Sequence, residues 1–321
     1  MKAMVQSRYG SAEVLELANI ERPTIDDTQV LVAVRAASIG AWVTHMMKGD
    51  PLLMRLGFGI RRPRQRVRAS DFAGEVVAVG SKVHRFNVGD EVYGEGESTF
   101  AEFVAVSPES LSLKPNNLSF DQAAAVPVAG QTALIGLRDY GGLQPGQSVL
   151  IIGAAGGVGT FAVQIAKALG AEVTGVCSSQ SVELVGAIGA DHVIDYEAVD
   201  FATSPERYDV VFQLAGTRSL SELRNVLTER GTLVLSSGEG GPWLGPLPRL
   251  AKALITSPFV RQDLRTFVAK TTPKNLAELT RLIEDGQLIP VINEEYQLAE
   301  MPDAVRRFER SHTQGKIVVT I

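Results

Sequence analysis

The sequence predicts an α/β chain made of two kinds of sheet, a β-rich barrel or sandwich interrupted by a doubly wound parallel sheet. Three observations lead there. The first ~120 residues carry short apolar runs bounded by Gly and Asp. From VLIIGA (149–154) onward, strand-like runs alternate with segments of helical spacing. The chain closes on one more strand, KIVVTI (316–321), which is expected to return to the first part.

In chain order, VLVAVRAASI (30–39), DFAGEVVAVG (71–80), EVYG (91–94) and AEFVAV (101–106) read as strands. Near Ser119 the character changes. SFDQAAAVPVAGQTALIGL is Ala-rich, with Ser119 as N-cap and Gln122 three positions on. VLIIGA then reads as a buried strand and 156–169 as a helix. EVTGVC (172–177), HVID (192–195), DVVFQLA (209–215) and TLVLSS (232–237) follow as strands, with helical spacing over 181–188 and 219–229. PKNLAELTRLIEDG (273–286) has Thr272 as a cap, Pro273 in its first turn and Gly286 at its end. Leu276, Leu279, Leu282 and Ile283 give it one apolar face. A strand (288–293), a short helix (302–310) and the final strand complete the chain. The expected domains are 1–122 with 286–321, and 123–285.

Composition narrows the function. The 321 residues suit about two domains of ~150 residues. A net charge of −5 argues against a nucleic-acid partner. Cys177 is the single cysteine, so neither an internal disulfide nor a multi-cysteine zinc site is expected. MKAMVQSRYGSAEVLEL lacks an apolar core of signal-peptide length, which sets the expectation of a cytoplasmic protein. No charge falls between Asp139 and Lys167, but the glycines of GGLQPGQ and GAAGGVG break a spanning helix, so no membrane partner is expected.

The main chemical signal is VLIIGAAGGVGTFAVQIAKALGAEV, with Ala154-x-Gly156-x-x-Gly159 between a strand and a helix. This is the setting of a dinucleotide turn. Gly156 lets backbone approach a pyrophosphate, and Gly159 allows close helix–strand packing. The helix N-terminus offers N–H groups and a positive dipole end to phosphates. Ala154, Gly156, Gly157, Val158 and Gly159 are the cofactor-side candidates. The first position is Ala rather than Gly, and a packing turn without nucleotide is the alternative. At the end of the next strand stand Cys177, Ser178, Ser179 and Gln180, where an NAD reader places Asp or Glu. Two hydroxyls and no carboxylate there favour NADPH. No Lys or Arg lies between 168 and 206, so a local cationic clamp for a 2′-phosphate is missing.

Together AAS (36–38), DFAGEVVAVG, GDEVYG, AAAVPVAGQTA, GAAGGVG, GADHVIDY and GKIVVTI resemble the zinc-independent branch of the medium-chain dehydrogenase/reductase superfamily, over essentially the whole chain. The resemblance implies a GroES-like β-rich barrel domain, a Rossmann domain and an active site in the cleft between them. It implies a quinone oxidoreductase or an enone/enoyl reductase using NADPH on a small-molecule substrate. A homodimer pairing Rossmann sheet edges is also implied, with 232–237 at the interface. Thr132 matches a position beside the nicotinamide and phosphates. Ser178 and Tyr196 match positions at the 2′-phosphoadenosine end, and Lys316 matches a family position. Gln180 falls where relatives often carry Arg or Lys. Ser70-Asp71 stands where zinc-bearing members have His-Glu, and the histidines 45, 84, 192 and 312 show no ligand spacing, so no metal is expected.

One stretch departs from the family. In SIGAWVTHMMKGD, Gly40, Val43 and His45 stand where relatives often have Asn, Asp and Tyr. His45 is then the candidate proton donor, or a solvated histidine. Trp42 and Tyr93 are candidates for the substrate pocket. Arg55, Arg61, Arg62, Arg64, Arg66 and Arg68 follow with no acid from 51 to 70: either a lid steering an anionic substrate or a solvated loop. Loss of the polar pair at 40 and 43 keeps open a non-redox or regulatory protein, and an imine or carbonyl reductase is a third possibility.

Overall fold

The computed structural model describes all residues except 69, 237–242, 246, 311 and 312, and the side chain of Ser70. It divides into two compact units, Met1–Gln131 with Thr271–Asp285 and Pro290–Ile321, and Thr132–Lys270 with Gly286–Ile289.

The first unit opens with a hairpin of β1 (Lys2–Gln6) and β2 (Leu15–Asn19). β3 (Val30–Ile39), β4 (Ser70–Val79), β5 (Glu91–Gly96), β6 (Phe103–Val106) and β7 (Leu111–Leu113) follow, each paired antiparallel. Gly74 and Gly94 let strands approach: a Cβ would lie 2.2 Å from the Ala33 carbonyl oxygen and 2.0 Å from that of Ser110. Ser119 caps the helix Phe120–Ala124 through a reciprocal capping box with Gln122, as the sequence predicts.

The second unit is one parallel sheet. β8 (Ser148–Ile152), β9 (Glu172–Cys177), β10 (His192–Asp195), β11 (Tyr208–Gln213), β12 (Leu227–Leu235) and β13 (Asp263–Thr266) lie in the order β10-β9-β8-β11-β12-β13. Counted from β8 this is 3-2-1-4-5-6, the Rossmann order, whose direction reverses between β8 and β11. The inner strands β8 and β11 carry buried apolar runs, VLII and VVF, as expected where helices cover both faces. Leu150, Val211 and Leu233 pack with Leu223 and Ala253 of the helices Leu220–Asn225 and Leu247–Thr256.

β14 (Ile292–Gln297) and β15 (Lys316–Thr320) return to the first unit, with β15 between β14 and β3. Ile317 and Val319 join its core with Val32, Phe72 and Val305. The expected GroES-like and Rossmann pair is therefore present.

Three expectations shift. The helix Pro273–Glu284 belongs to the first unit, not to the parallel-sheet domain, and residues 123–131 do too. The Tyr93 hydroxyl donates to the Leu276 carbonyl at 2.8 Å, and Asn117 donates to that of Ile283 at 2.9 Å. The strand expected at 288–293 runs Ile292–Gln297 instead, because Pro290 cannot donate to a ladder. TLVLSS is not an edge: β12 lies between β11 and β13, so sheet-edge pairing would use β13, and residue 237 falls outside the described residues.

Candidate functional site

The glycine turn sits at the C-terminal end of β8, at the reversal point of the sheet. Gly153 has φ +90°, a conformation costly for residues with a Cβ, and its N–H and that of Ala154 both donate to the Val176 carbonyl at 3.0 Å. Gly153 thus makes the tight turn that the spacing assigned to residue 154. Ala154 is buried, its methyl 3.0 Å from where a Cβ on Gly175 would lie, so its smallness serves strand packing. At Gly159 a Cβ would stand 2.0 Å from the Gly153 oxygen, which makes glycine obligatory there. At Gly156 the nearest atom would be 3.4 Å away, so that side of the turn is open to a phosphate. The helix starts at Gly159, later than the sequence predicts, with Val158 at its N-cap. In its first turn the Thr160 N–H donates to the Gly156 carbonyl at 3.0 Å, and within the glycine turn the Gly156 N–H donates to that of Gly153 at 3.1 Å. The cradle fits a dinucleotide pyrophosphate.

Parallel pairing of β9 and β10 sets Asp195 beside Cys177 and brings two strand ends together. Ser178 is buried, with its Oγ 3.5 Å from that of Ser181. Ser179 is exposed, and its hydroxyl lies 2.6 Å from Asp195 Oδ2 and 2.7 Å from Glu197 Oε2. Tyr196 is exposed between these carboxylates, anchored by its N–H on the Cys177 carbonyl. The sequence reading had found no carboxylate at this corner because both arrive from the neighbouring strand. Burial, with the Asp195 charge nearby, pushes the Cys177 thiol up to about 11, so it is a neutral packing group. Thr132 is buried on the helix Pro127–Leu134.

In the first unit Asp71 is a hub. It is 2% exposed and accepts from Ser38 Oγ at 3.1 Å, Val128 N at 3.0 Å and Lys316 Nζ at 3.2 Å. Lys316 is thus held in a buried ion pair within the first unit.

A cavity of about 670 Å³ opens in the same unit. Trp42 and Phe58, edge to face at 6.0 Å, form its apolar wall together with Met46. Arg64, Arg68 and Glu95 supply polar groups. Glu95 accepts from Thr271 Oγ1 at 2.6 Å. Burial holds the Glu95 carboxyl above its ordinary range; the Thr271 bond opposes this and the Asp71 charge adds to it. Sequence reasoning missed Glu95, since nothing in EVYGEG distinguishes it before the strand is placed.

Two pocket candidates lie elsewhere. The His45 ring faces outward, its Nδ1 3.0 Å from the Asp50 carbonyl oxygen, just past the end of its own helix Ala41–Lys48. Tyr93 is fully buried, its hydroxyl on the Leu276 carbonyl and 2.9 Å from Thr280 Oγ1, so it is a core residue. The arginine run also divides. Arg55 caps that same helix through the Lys48 and Gly49 carbonyls, Arg61, Arg62 and Arg66 are exposed, and Arg68 is 2% exposed.

Among the described residues no three His, Cys, Asp or Glu side chains are grouped to hold a metal, and His312 lies outside them. No described helix is long and apolar enough to cross a membrane.

Comparison with known proteins agrees with this architecture. Residues 26–116 match the alcohol dehydrogenase GroES-like domain, and 188–319 match the zinc-binding dehydrogenase family. The chain is 32% identical to the 2-methylene-furan-3-one reductase of Solanum lycopersicum, the match covering 99% of this chain and 79% of that protein. It is 34% identical to the chloroplastic NADPH-dependent alkenal/one oxidoreductase of Arabidopsis thaliana, over 99% and 79%. The structure of the quinone oxidoreductase from Coxiella burnetii is similar at a TM-score of 0.89, with 29% identity over 100% of this chain and 99% of that one.

Proposed function

The chain belongs to the medium-chain dehydrogenase/reductase superfamily, and from that premise we propose that it is an NADPH-dependent, zinc-independent reductase of an activated C=C bond (an enone or enoyl group) or of a quinone. It is an oxidoreductase of that superfamily. The reading is carried by the turn Gly153–Gly159 at the switch point of the 3-2-1-4-5-6 sheet. When bound, NADPH supplies the hydride. We assign its binding to the backbone of 156–159, to Thr132 and to the Ser178, Ser179 and Tyr196 corner. Trp42 and Phe58 offer a flat conjugated substrate an apolar wall. We assign proton delivery to Glu95, because it borders the cavity, which His45 does not line. The Asp71 carboxylate, at the position where zinc-bearing members keep a ligand pair, is already taken up by Lys316, Ser38 and Val128.

The test is NADPH oxidation, followed by absorbance, against a panel of enones, enoyl thioesters and quinones with and without chelator. The expected result is turnover of at least one class, untouched by chelator. Loss of turnover on chelation overturns the zinc-free reading, and NADPH binding without turnover of any class overturns the substrate assignment.

We further propose a homodimer and a cytoplasmic location. Support for the first is the sheet's terminal strand β13, next to a helix whose Leu247, Leu254 and Ile255 are exposed, followed by an exposed Phe259. Ile255→Lys with Phe259→Asp is expected to shift the sedimentation coefficient to that of a monomer. Support for the second is the single, buried, unpaired cysteine, and cell fractionation checks it.

A further inference from the structure

We infer that Asp195 and Glu197 act against the 2′-phosphate of the cofactor, so that the enzyme takes NADPH with only a narrow margin over NADH. This rests on the nucleotide-binding reading above.

A phosphate at this corner needs donors and positive charge. The donor at the tip of β9 is the Ser179 hydroxyl, which has one proton to give and already faces two carboxylate oxygens, at 2.6 and 2.7 Å. Asp195 is held in place by the Glu197 N–H on its other oxygen, at 2.9 Å. From Glu172 to Glu206 the chain carries seven acids and no Lys or Arg. The basic residues flanking that stretch are engaged elsewhere. Lys167 pairs with Asp191 at 2.7 Å, and Arg207 donates to the Ser204 and Glu206 carbonyls. Arg218 pairs with Asp200 and Glu222. A 2′-phosphate adds close to two negative charges, whereas a ribose 2′-hydroxyl adds none and can donate to a carboxylate. Like charges this near the surface repel by an amount that salt reduces. The corner therefore lowers the affinity for the phosphorylated ribose relative to the plain ribose.

The test is calorimetric binding of 2′,5′-ADP and of 5′-AMP, which differ only in the 2′-phosphate, to the intact protein and to Asp195→Asn/Glu197→Gln. NADPH and NADH titrations accompany it. In the wild type the two fragments are expected to bind within about threefold of one another. In the double variant 2′,5′-ADP and NADPH gain about tenfold, while 5′-AMP and NADH stay within twofold. The wild-type deficit shrinks at ~0.5 M salt. Glu197→Gln alone, at an exposed position, gives part of the gain and guards against a folding artefact. Parallel changes in both fragments, or no change in either, overturn the inference while leaving nucleotide binding intact. If neither fragment and neither dinucleotide binds either protein, the nucleotide-binding reading itself falls and the inference with it.

Discussion

Asp71 and Asp195 each accept a serine hydroxyl, and there the likeness ends. Asp71 is buried and has a lysine ammonium, a backbone N–H and Ser38 on its two oxygens. Asp195 lies at the rim of the parallel sheet, with a second carboxylate where Asp71 has its lysine. Burial forces the first arrangement, since a desolvated charge without an opposite charge is very costly. Exposure permits the second, because water screens the repulsion. A carboxylate whose surroundings match it holds a fold together. One that the fold leaves beside a like charge is free to discriminate among ligands.

The largest way to break this contrast is to remove the match. Lys316→Met leaves Asp71 buried and unpaired, and is expected to cost about 3–5 kcal/mol in urea denaturation. Adding Asp71→Asn should recover most of the loss; a neutral single variant would show that the pair is not what secures the sheet. Glu95 stands between the two extremes, half-buried with one hydroxyl partner. Glu95→Gln is expected to slow enone reduction about a hundredfold while sparing a quinone acceptor, whose oxygens take protons directly from water. An equal loss on both acceptors would make Glu95 a structural group. Its elevated pKa also has a stability consequence. The folded chain keeps that proton when the unfolded chain has released it, so the contribution is present below the ordinary value of 4.5 and is lost as pH rises through the folded value. Stability curves of the wild type should therefore fall more steeply above pH 4.5 than those of Glu95→Gln. Tyr93→Phe removes a hydroxyl that is fully matched in the core. A cost of about 1–2 kcal/mol with kcat and KM unchanged is expected. The smallest effect belongs to Arg61 and Arg62, exposed and far from saturation by any partner. Reversing both to Glu should alter kcat/KM for an anionic substrate less than about threefold, and less again in high salt.

The parallel sheet was the more legible region. EVTGVC and HVID are strands at the very residues expected, because each is a short run carrying β-branched residues, Val173, Thr174 and Val176 in one and Val193 and Ile194 in the other. The Ser119 and Thr272 caps were equally plain, being local. What failed to show is what depends on neighbours. The hairpin of β1 and β2, the helix Leu247–Thr256 and β13 were not anticipated from their own patterns. Asp195 reaches Ser179 only through the β9–β10 register. The outward turn of His45 and the inward burial of Tyr93 depend on side-chain direction, which spacing alone does not give. One signal for the acidic corner lies in the sequence itself: a stretch of seven acids, 172–206, with no Lys or Arg.

The position of β15 bears on how the protein is made. It lies inside the first sheet, between β14 and β3, pairing Ile317 with Ile39. A ribosome adding about 5–20 residues per second delivers β3 long before β15. The nascent first unit must therefore wait, with the Ala36–Ile39 stretch of β3 lacking its β15 partner and the sites of Ile317 and Val319 vacant. All six strands of the parallel sheet have meanwhile emerged and can pair. Translation order thus lets the parallel sheet assemble before the first sheet receives β15 between β14 and β3.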